Sequence, residues 1–445
     1  MNSKYKSYPK YKESENEWLG KIPEKWNRAS LRWLSRIYAG GTPSKDKIEY
    51  WTDGTIPWIN SGAVNQRIIE EPSTYITEEA LKNSSAKWIP ANSLVMALAG
   101  QGKTKGSVAR TAIETTCNQS MAAICPSDVI DSAYLYWWLT SQYSKIRGLA
   151  GDDLRDGLNL VMVGSIPCPI PLREEQRNIS SFLDRETRRI DKLITKKERQ
   201  IELLKEKRQA LISHAVTKGL YPNTKMKDSG IEWLGKVPEM WEVMRLKRLV
   251  SKIGSGITPR GGSQVYQDKG VMLLRSQNIH FDGLRLEDVA YIDDETDQSM
   301  ADTRVKANDV LLNITGASIG RCTHYPSDYP AANVNQHVCI IRPQEGVVSK
   351  FIASSISSHI VQYQIDAQQT GSSREGLNFQ QVGNLIICVP QRELQESIVV
   401  YLDCETERID ILSTKIHQSI DKLREYRTAL ISAAVTGKID VREEM

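Results

Sequence analysis

Two long stretches carry an apolar or small residue at every seventh position. In the first, roughly Arg173 to His214, Leu183, Ile190, Lys197, Leu204 and Leu211 form one row, beside Thr187, Ile194, Ile201 and Arg208. In the second, roughly Arg392 to Ala433, the rows are Leu402, Ile409, Ile416, Leu423 and Leu430, beside Thr406, Ser413, Ile420 and Arg427. A strict heptad keeps one seam of a helix turned toward a partner helix, so the pattern predicts two long helices packed as a coiled coil. At 1.5 Å per residue, about 40 residues make a rod of roughly 60 Å. The polar seam members Lys197, Arg208 and Arg427 cost stability and are expected to fix register or orientation.

Elsewhere the apolar runs are short and bounded by turn residues. Ile56 to Ile59, Leu94 to Leu98 and Ala122 to Cys125 read as strands, as do Val271 to Leu274, Val310 to Ile314 and Val338 to Ile341. Leu31 to Ile37, Tyr134 to Ile146 and Phe351 to Ser358 read as helices, the second with Tyr134, Leu135, Trp138 and Leu139 as its apolar residues. Ile166 to Pro171, with three prolines, and Val389-Pro390 read as domain ends.

The same order of elements occurs twice. Trp18-Leu19-Gly20-Lys21 returns as Trp233-Leu234-Gly235-Lys236, Thr42-Pro43 as Thr258-Pro259, and Asn118-Gln119 as Asn335-Gln336. From Gly157-Leu158-Asn159 onward the offset is a constant 219 residues, as in Arg189-Ile190-Asp191 and Arg408-Ile409-Asp410. A repeat this long is a domain plus a helix, too long for a solenoid unit. The expected class is mixed α/β (α+β), with two tandem globular domains and two long helices related by an internal pseudo-two-fold repeat. The boundaries are a lead-in at 1–16, a first domain at 17–171, a long helix at 172–218 and a linker at 219–231. A second domain at 232–390, a second long helix at 391–437 and a tail at 438–445 complete the chain.

Composition changes the picture in two places. The net charge of +4 is small, but residues 173–218 hold 13 Lys and Arg against 8 Asp and Glu, whereas 392–438 hold 7 against 8. The first helix is thus suited either to pairing through flanking charges or to facing a polyanion. The seven cysteines, odd in number and without C-x-x-C spacing, argue against a disulfide framework or zinc site and fit a reducing, cytoplasmic setting. Residues 1–16 lack an apolar signal core, and no run of 18 apolar residues predicts a membrane span.

The one catalytic-looking motif is Ala97 to Thr104, whose Gly102-Lys103-Thr104 satisfies a permissive P-loop pattern. A phosphate cradle needs a helix starting there, and Lys105-Gly106-Ser107-Val108-Ala109 starts one poorly. The matching stretch, Thr315 to Arg321, shares only a glycine turn followed by a cation. No metalloprotease, hydrolase, dinucleotide or amino-methyltransferase motif occurs, and the six histidines are scattered. Two duplicated heads without catalytic chemistry suggest a binding module. Lys45, Lys47, Arg67, Lys103, Lys105, Arg110, Arg260 and Arg321 are candidates for phosphate contact. Asn60, Arg275, Gln277 and Asn278 follow strands and carry the donors and acceptors that read base edges. Arg155 and Arg374 each precede the repeated Gly-Leu-Asn.

The paired Glu17 to Pro23 and Glu232 to Pro238, Thr315 to Arg321, the two Asn-Gln steps and the two Pro-x-x-Glu/Leu-x-Gln helix entries resemble the specificity (S) subunits of Type I restriction–modification systems. The resemblance covers nearly the whole chain. It implies that each domain is a target recognition domain reading one half of a bipartite double-stranded DNA target, and that the two helices pack as an antiparallel coiled coil, set the spacing and dock the modification subunits. It further implies a chain without catalysis or cofactor of its own. S-adenosylmethionine, ATP and Mg2+ would be used by partners, two methyltransferase and two motor-nuclease subunits. Two other classes remain open: an NTPase acting through Lys103, and a coiled-coil scaffold that binds protein without sequence-specific DNA readout.

Overall fold

The structure, a computed structural model, describes residues 5–100, 102, 104–151, 157–369 and 376–444. It divides into two units, Met1–Lys197 with Gln418–Met445, and Glu198–His417. Each long helix, Arg173–Lys218 and Arg392–Val435, is therefore shared between the units.

In the first unit a five-stranded sheet runs in the order Ser35–Ala39, Met121–Pro126, Leu94–Ala97, Val108–Thr111, Ile68–Ile69, antiparallel except at its last joint. Beside it Ile56–Ile59 lies between Thr116–Cys117, parallel, and Thr74–Ile76, antiparallel. The second unit has a four-stranded antiparallel sheet, Val250–Ser255, Val338–Pro343, Val310–Asn313, Cys322–His324. Its second sheet again holds one parallel joint, where Leu273 faces Asn333 as Trp58 faces Thr116. The sequence repeat is thus a repeat of sheet register.

The first core closes on the helix Ser132–Ser141, in which Tyr134 through Leu139 are all buried. A helix apolar on every side has to lie inside, and each such side chain contributes about 1.5–3 kcal/mol when fully buried. Its polar tips find partners there. Trp138 Nε1 donates to the Pro167 carbonyl at 3.0 Å, and Trp137 Nε1 to Asp184 Oδ1 at 2.8 Å. The expected helix to Ile146 breaks at Gln142, and a second short helix, Tyr143–Gly148, follows.

Helix entry is locked the same way twice. Gln176 Oε1 accepts from the Asp131 amide at 2.7 Å while its Nε2 donates to the carbonyls of Pro171 and Val129 at 2.9 and 3.1 Å. Gln395 accepts from the Val348 amide at 3.0 Å and donates to the Pro390 carbonyl at 2.9 Å. The Gln of the Pro-x-x-Glu/Leu-x-Gln motif is thus a splice between the last strand and the helix. Helix exit is also shared. Ala215 and Val216 join the second unit's core, and their counterparts Ala434 and Val435 join the first unit's core.

The heptad seam is where it was expected. On the exposed helices Leu183, Ile190, Ile201, Leu402, Ile409, Ile420 and Leu430 are buried, and Ile194, Leu204, Leu211, Ile416 and Leu423 are half-buried. Within the first unit Arg427 Nε meets Asp191 Oδ1 at 2.8 Å, and Tyr134 OH donates to the carbonyl of Val435 beside that of Pro169. The end of one helix therefore lies near the start of the other, so the two segments run antiparallel. Within the second unit Arg208 pairs with Asp410, the pseudo-symmetric equivalent of the Asp191–Arg427 pair. Of the three polar seam residues, Arg208 and Arg427 are the ones that make these pairs.

Three expectations change. The helix at Leu31 stops at Leu34 and gives way to the strand Ser35–Ala39. Pro167–Ile170 is a strand, antiparallel to Asn27–Ser30 in a two-stranded ribbon, where proline's missing N–H can face away from the ladder. The lead-in and the linker each contain an exposed strand, Tyr11–Glu13 and Met226–Asp228, paired with Lys21–Pro23 and Lys236–Pro238. Among the described residues no helix is long and apolar enough to cross a membrane.

Candidate nucleic-acid interface

Each unit builds one polar clasp from two distant loops. In the first, the Gly40-Gly41-Thr42-Pro43 loop crosses Asn118-Gln119. A Cβ at Gly40 would fall 2.1 Å from the Cys117 carbonyl oxygen, so only glycine permits this approach. Gly256 is tighter still, at 1.6 Å from the Val334 carbonyl oxygen. The Asn amides anchor the second loop. Asn118 N donates to Ile59 O, and Asn335 N to Leu274 O, both at 3.1 Å. Across each junction the threonine hydroxyl donates to a glutamine carbonyl, Thr42 to Gln119 and Thr258 to Gln336. Both glutamines are exposed.

The surroundings of the two clasps differ. The first borders a cavity of about 490 Å³ that also meets Lys45, Trp51, Trp58 and Asn60. Trp58 Nε1 donates to the Gly41 carbonyl at 3.0 Å, and Trp51 packs edge-on against Trp58 at 5.1 Å. Burial pushes the Cys117 thiol beneath the loop up to about 12. In the second unit Gln336 Nε2 lies 3.0 Å from His337 Nε2, and Thr315 Oγ1 lies 2.6 Å from His337 Nδ1. A neutral imidazole donating through Nδ1 and accepting through Nε2 satisfies both contacts.

The expected contact residues separate into groups. Lys45 and Asn60 are exposed at the first clasp, and Asn60 Oδ1 accepts from the Gly62 amide at 2.8 Å, leaving its NH2 group outward. Lys47 is exposed, donating to the Tyr50 hydroxyl at 3.1 Å over that ring. Arg260 is exposed and Arg321 half-buried. Arg275 and Gln277 both donate to the Asp288 carbonyl, at 2.8 and 3.5 Å, and the Arg275 guanidinium lies over Tyr266. Arg110 is half-buried in a strand bonded on both sides. Lys103, Arg155 and Arg374 lie outside the described residues.

Three others are placed against expectation. Asn278 is buried, and its amide accepts from Arg275 N and donates to Arg285 O, so no edge is left to read a base. Lys105 is 5% exposed. Arg67 forms an ion pair with Asp184 of the long helix and stacks on Trp137, so it fastens the domain to the helix. The glycine turn after Leu94–Ala97 leads into the antiparallel strand Val108–Thr111, a hairpin and not the helix start a P-loop needs. Among the described residues no group of three or more His, Cys, Asp or Glu side chains is placed to hold a metal. Sequence reasoning missed the role of Gln119 and Gln336; the repeated Asn-Gln step was their signal.

A duplicated pair of α/β domains joined through heptad helices, each with an exposed polar clasp, is an architecture with known relatives. Residues 23–203 match the family described as Type I restriction modification DNA specificity domain. The Escherichia coli EcoR124I/EcoR124II specificity subunit is 35% identical over 181 residues, spanning 39% of this chain and 42% of that protein. The Methanocaldococcus jannaschii MjaIX specificity subunit is 22% identical over 99% of both chains. The crystal structure of the HsdS subunit from Thermoanaerobacter tengcongensis superposes with a TM-score of 0.55 at 14% identity, covering 94% of this chain and 98% of that one. A chain from a study of complex assembly and conformational transition in a type I R-M system reaches 0.72 at 15% identity, covering 93% and 98%. This chain is thus similar to the specificity subunits of Type I restriction–modification systems, most strongly over residues 23–203.

Proposed function

We propose that this chain is the sequence-specific DNA-recognition subunit of a Type I restriction–modification complex. Each domain reads one half of a bipartite duplex target. The two helices set the spacing of the half-sites and dock two methyltransferase subunits, with two motor-nuclease subunits completing the restriction form. The chain itself is non-catalytic. S-adenosylmethionine, ATP and Mg2+ act in those partners.

The observation that carries this reading is the duplication of one clasp within unlike surroundings. Asn60 and Lys45 flank the first. Arg275, directly after Leu274, and Gln277 two residues further on stand in the corresponding place of the second. Such donors are the groups that distinguish base edges, whereas the common frame supports either head. The test is selection of duplexes from a randomised pool by the full chain with its methyltransferase subunits. Enrichment of two fixed blocks separated by unspecified bases supports the reading. Retention without sequence preference would favour a protein scaffold.

A further inference from the structure

We propose that the two Thr–Gln clasps are the sequence-independent grip on DNA, each directing its glutamine NH2 group at the sugar–phosphate backbone, while discrimination is left to Asn60 in one domain and to Arg275 and Gln277 in the other. This rests on the DNA-recognition reading above.

The clasp is the same object in both domains. It uses glycine at the backbone crossing, threonine as donor, glutamine as acceptor, and an Asn amide bonded to the end of the neighbouring strand. A feature identical in two reading heads cannot encode a difference between two half-sites. It suits what both half-sites share, and the backbone is that part of a duplex. The chemistry of the glutamine agrees. Its carbonyl is engaged by the threonine, which fixes the amide plane and leaves donors facing out: both N–H groups in Gln119, one in Gln336 beside His337. Donors held in a fixed direction suit phosphate oxygens, which accept only. The candidate reading residues adjoin the clasp in each domain. Asn60 follows Ile59 and Arg275 follows Leu274, the strand residues to which the two Asn amides are tied.

The experiment uses the full chain with its methyltransferase subunits and three duplexes of about 40 base pairs. One carries the methylation-mapped target, one has a single half-site scrambled, and one has both scrambled. Gln119→Ala and Gln336→Ala should each weaken binding to all three by one common factor of about five, leaving the specificity ratio unchanged. Gln119→Lys and Gln336→Lys should each tighten all three at low salt and steepen the log–log salt dependence by about 0.9, as one added phosphate contact does. Asn60→Ala and Arg275→Ala should instead lower the specificity ratio. A loss confined to the duplexes that keep the altered domain's half-site would make the clasp a base reader and overturn the proposal. Unchanged affinity and slope would remove it from the interface, and loss of a methyltransferase subunit with normal DNA affinity on reassembly would make it a protein contact. If the unaltered protein binds all three duplexes equally, bipartite reading fails, and the lysine variants' salt slopes still judge the clasp.

Discussion

Each long helix is followed within two residues by a glycine in the left-handed region, Gly219 at φ +81° and Gly437 at φ +70°, and the two should respond unequally to alanine. An L-residue there costs about 1–2 kcal/mol, against which alanine recovers about 0.4–1 kcal/mol from the unfolded chain. Space then decides. At Gly219 the nearest heavy atom to an added Cβ is Trp241 Cζ2 at 3.3 Å, which a small ring shift relieves. At Gly437 the added Cβ would lie 2.5 Å from both Pro23 Cγ and Cδ and 3.1 Å from Trp26 Cη2. That proline ring is short and stiff, Trp26 is 1% exposed, and overpacking of this kind adds about 1–3 kcal/mol. Gly219→Ala should therefore cost roughly 1 kcal/mol and Gly437→Ala roughly 3 kcal/mol. For units of this size each kcal/mol corresponds to about 2–4 °C. Because the glycines belong to different units, the assay is hydrogen exchange read peptide by peptide, with calorimetry alongside. Protection should fall mainly around Ser132–Ser141 in the Gly437 variant, and less, around Ser349–Ser357, in the Gly219 variant. Equal losses, or a larger loss at Gly219, would refute the steric argument.

Three further outcomes follow from the same contacts. Reversing Asp191 to Arg should destabilise the first unit by about 0.5–1 kcal/mol in low salt, and adding Arg427→Asp should restore it; a double variant no better than the single would deny the pair its registering role. Asp309 is fully buried and accepts two bonds from Arg342 at 2.7 Å, so Arg342→Met should cost about 3–5 kcal/mol in urea unfolding, much of it returned by adding Asp309→Asn. Burial, with Lys350 nearby, holds His324 below its ordinary 6.5, so the folded state resists a proton that the unfolded state takes up. Stability from this group is complete above about pH 6.5 and declines as pH falls below it; His324→Gln should flatten that part of the second unit's pH–stability curve.

The helices were legible because a seven-residue period is a long, redundant signal, and the seam residues Ile190 and Ile409 are buried as that period requires. The duplication was legible for the same reason, and it carried the sheet register with it. Tyr11–Glu13 and Met226–Asp228 were not, since every residue in them is exposed and no alternation marks the strands. Pro167–Ile170 reads locally as a breaker and becomes a strand only through pairing with Asn27–Ser30, well over a hundred residues away. Arg67 failed as a candidate contact because its partner, Asp184, lies 117 residues downstream. Asn278 failed for a local reason, since its amide closes the turn that begins at Arg275. The clasp glutamines needed the fold, because only the crossing of two loops brings Thr42 to Gln119 and Thr258 to Gln336.

The claim that two domains read two half-sites independently is tested most directly by mapping methylated positions in cells that carry the chain with its methyltransferase subunits, before and after residues 232–390 are exchanged for a related domain. The account predicts two fixed half-sites separated by unspecified bases, with the exchange rewriting one and leaving the other intact. A single contiguous motif, or a change in both half-sites, would contradict it.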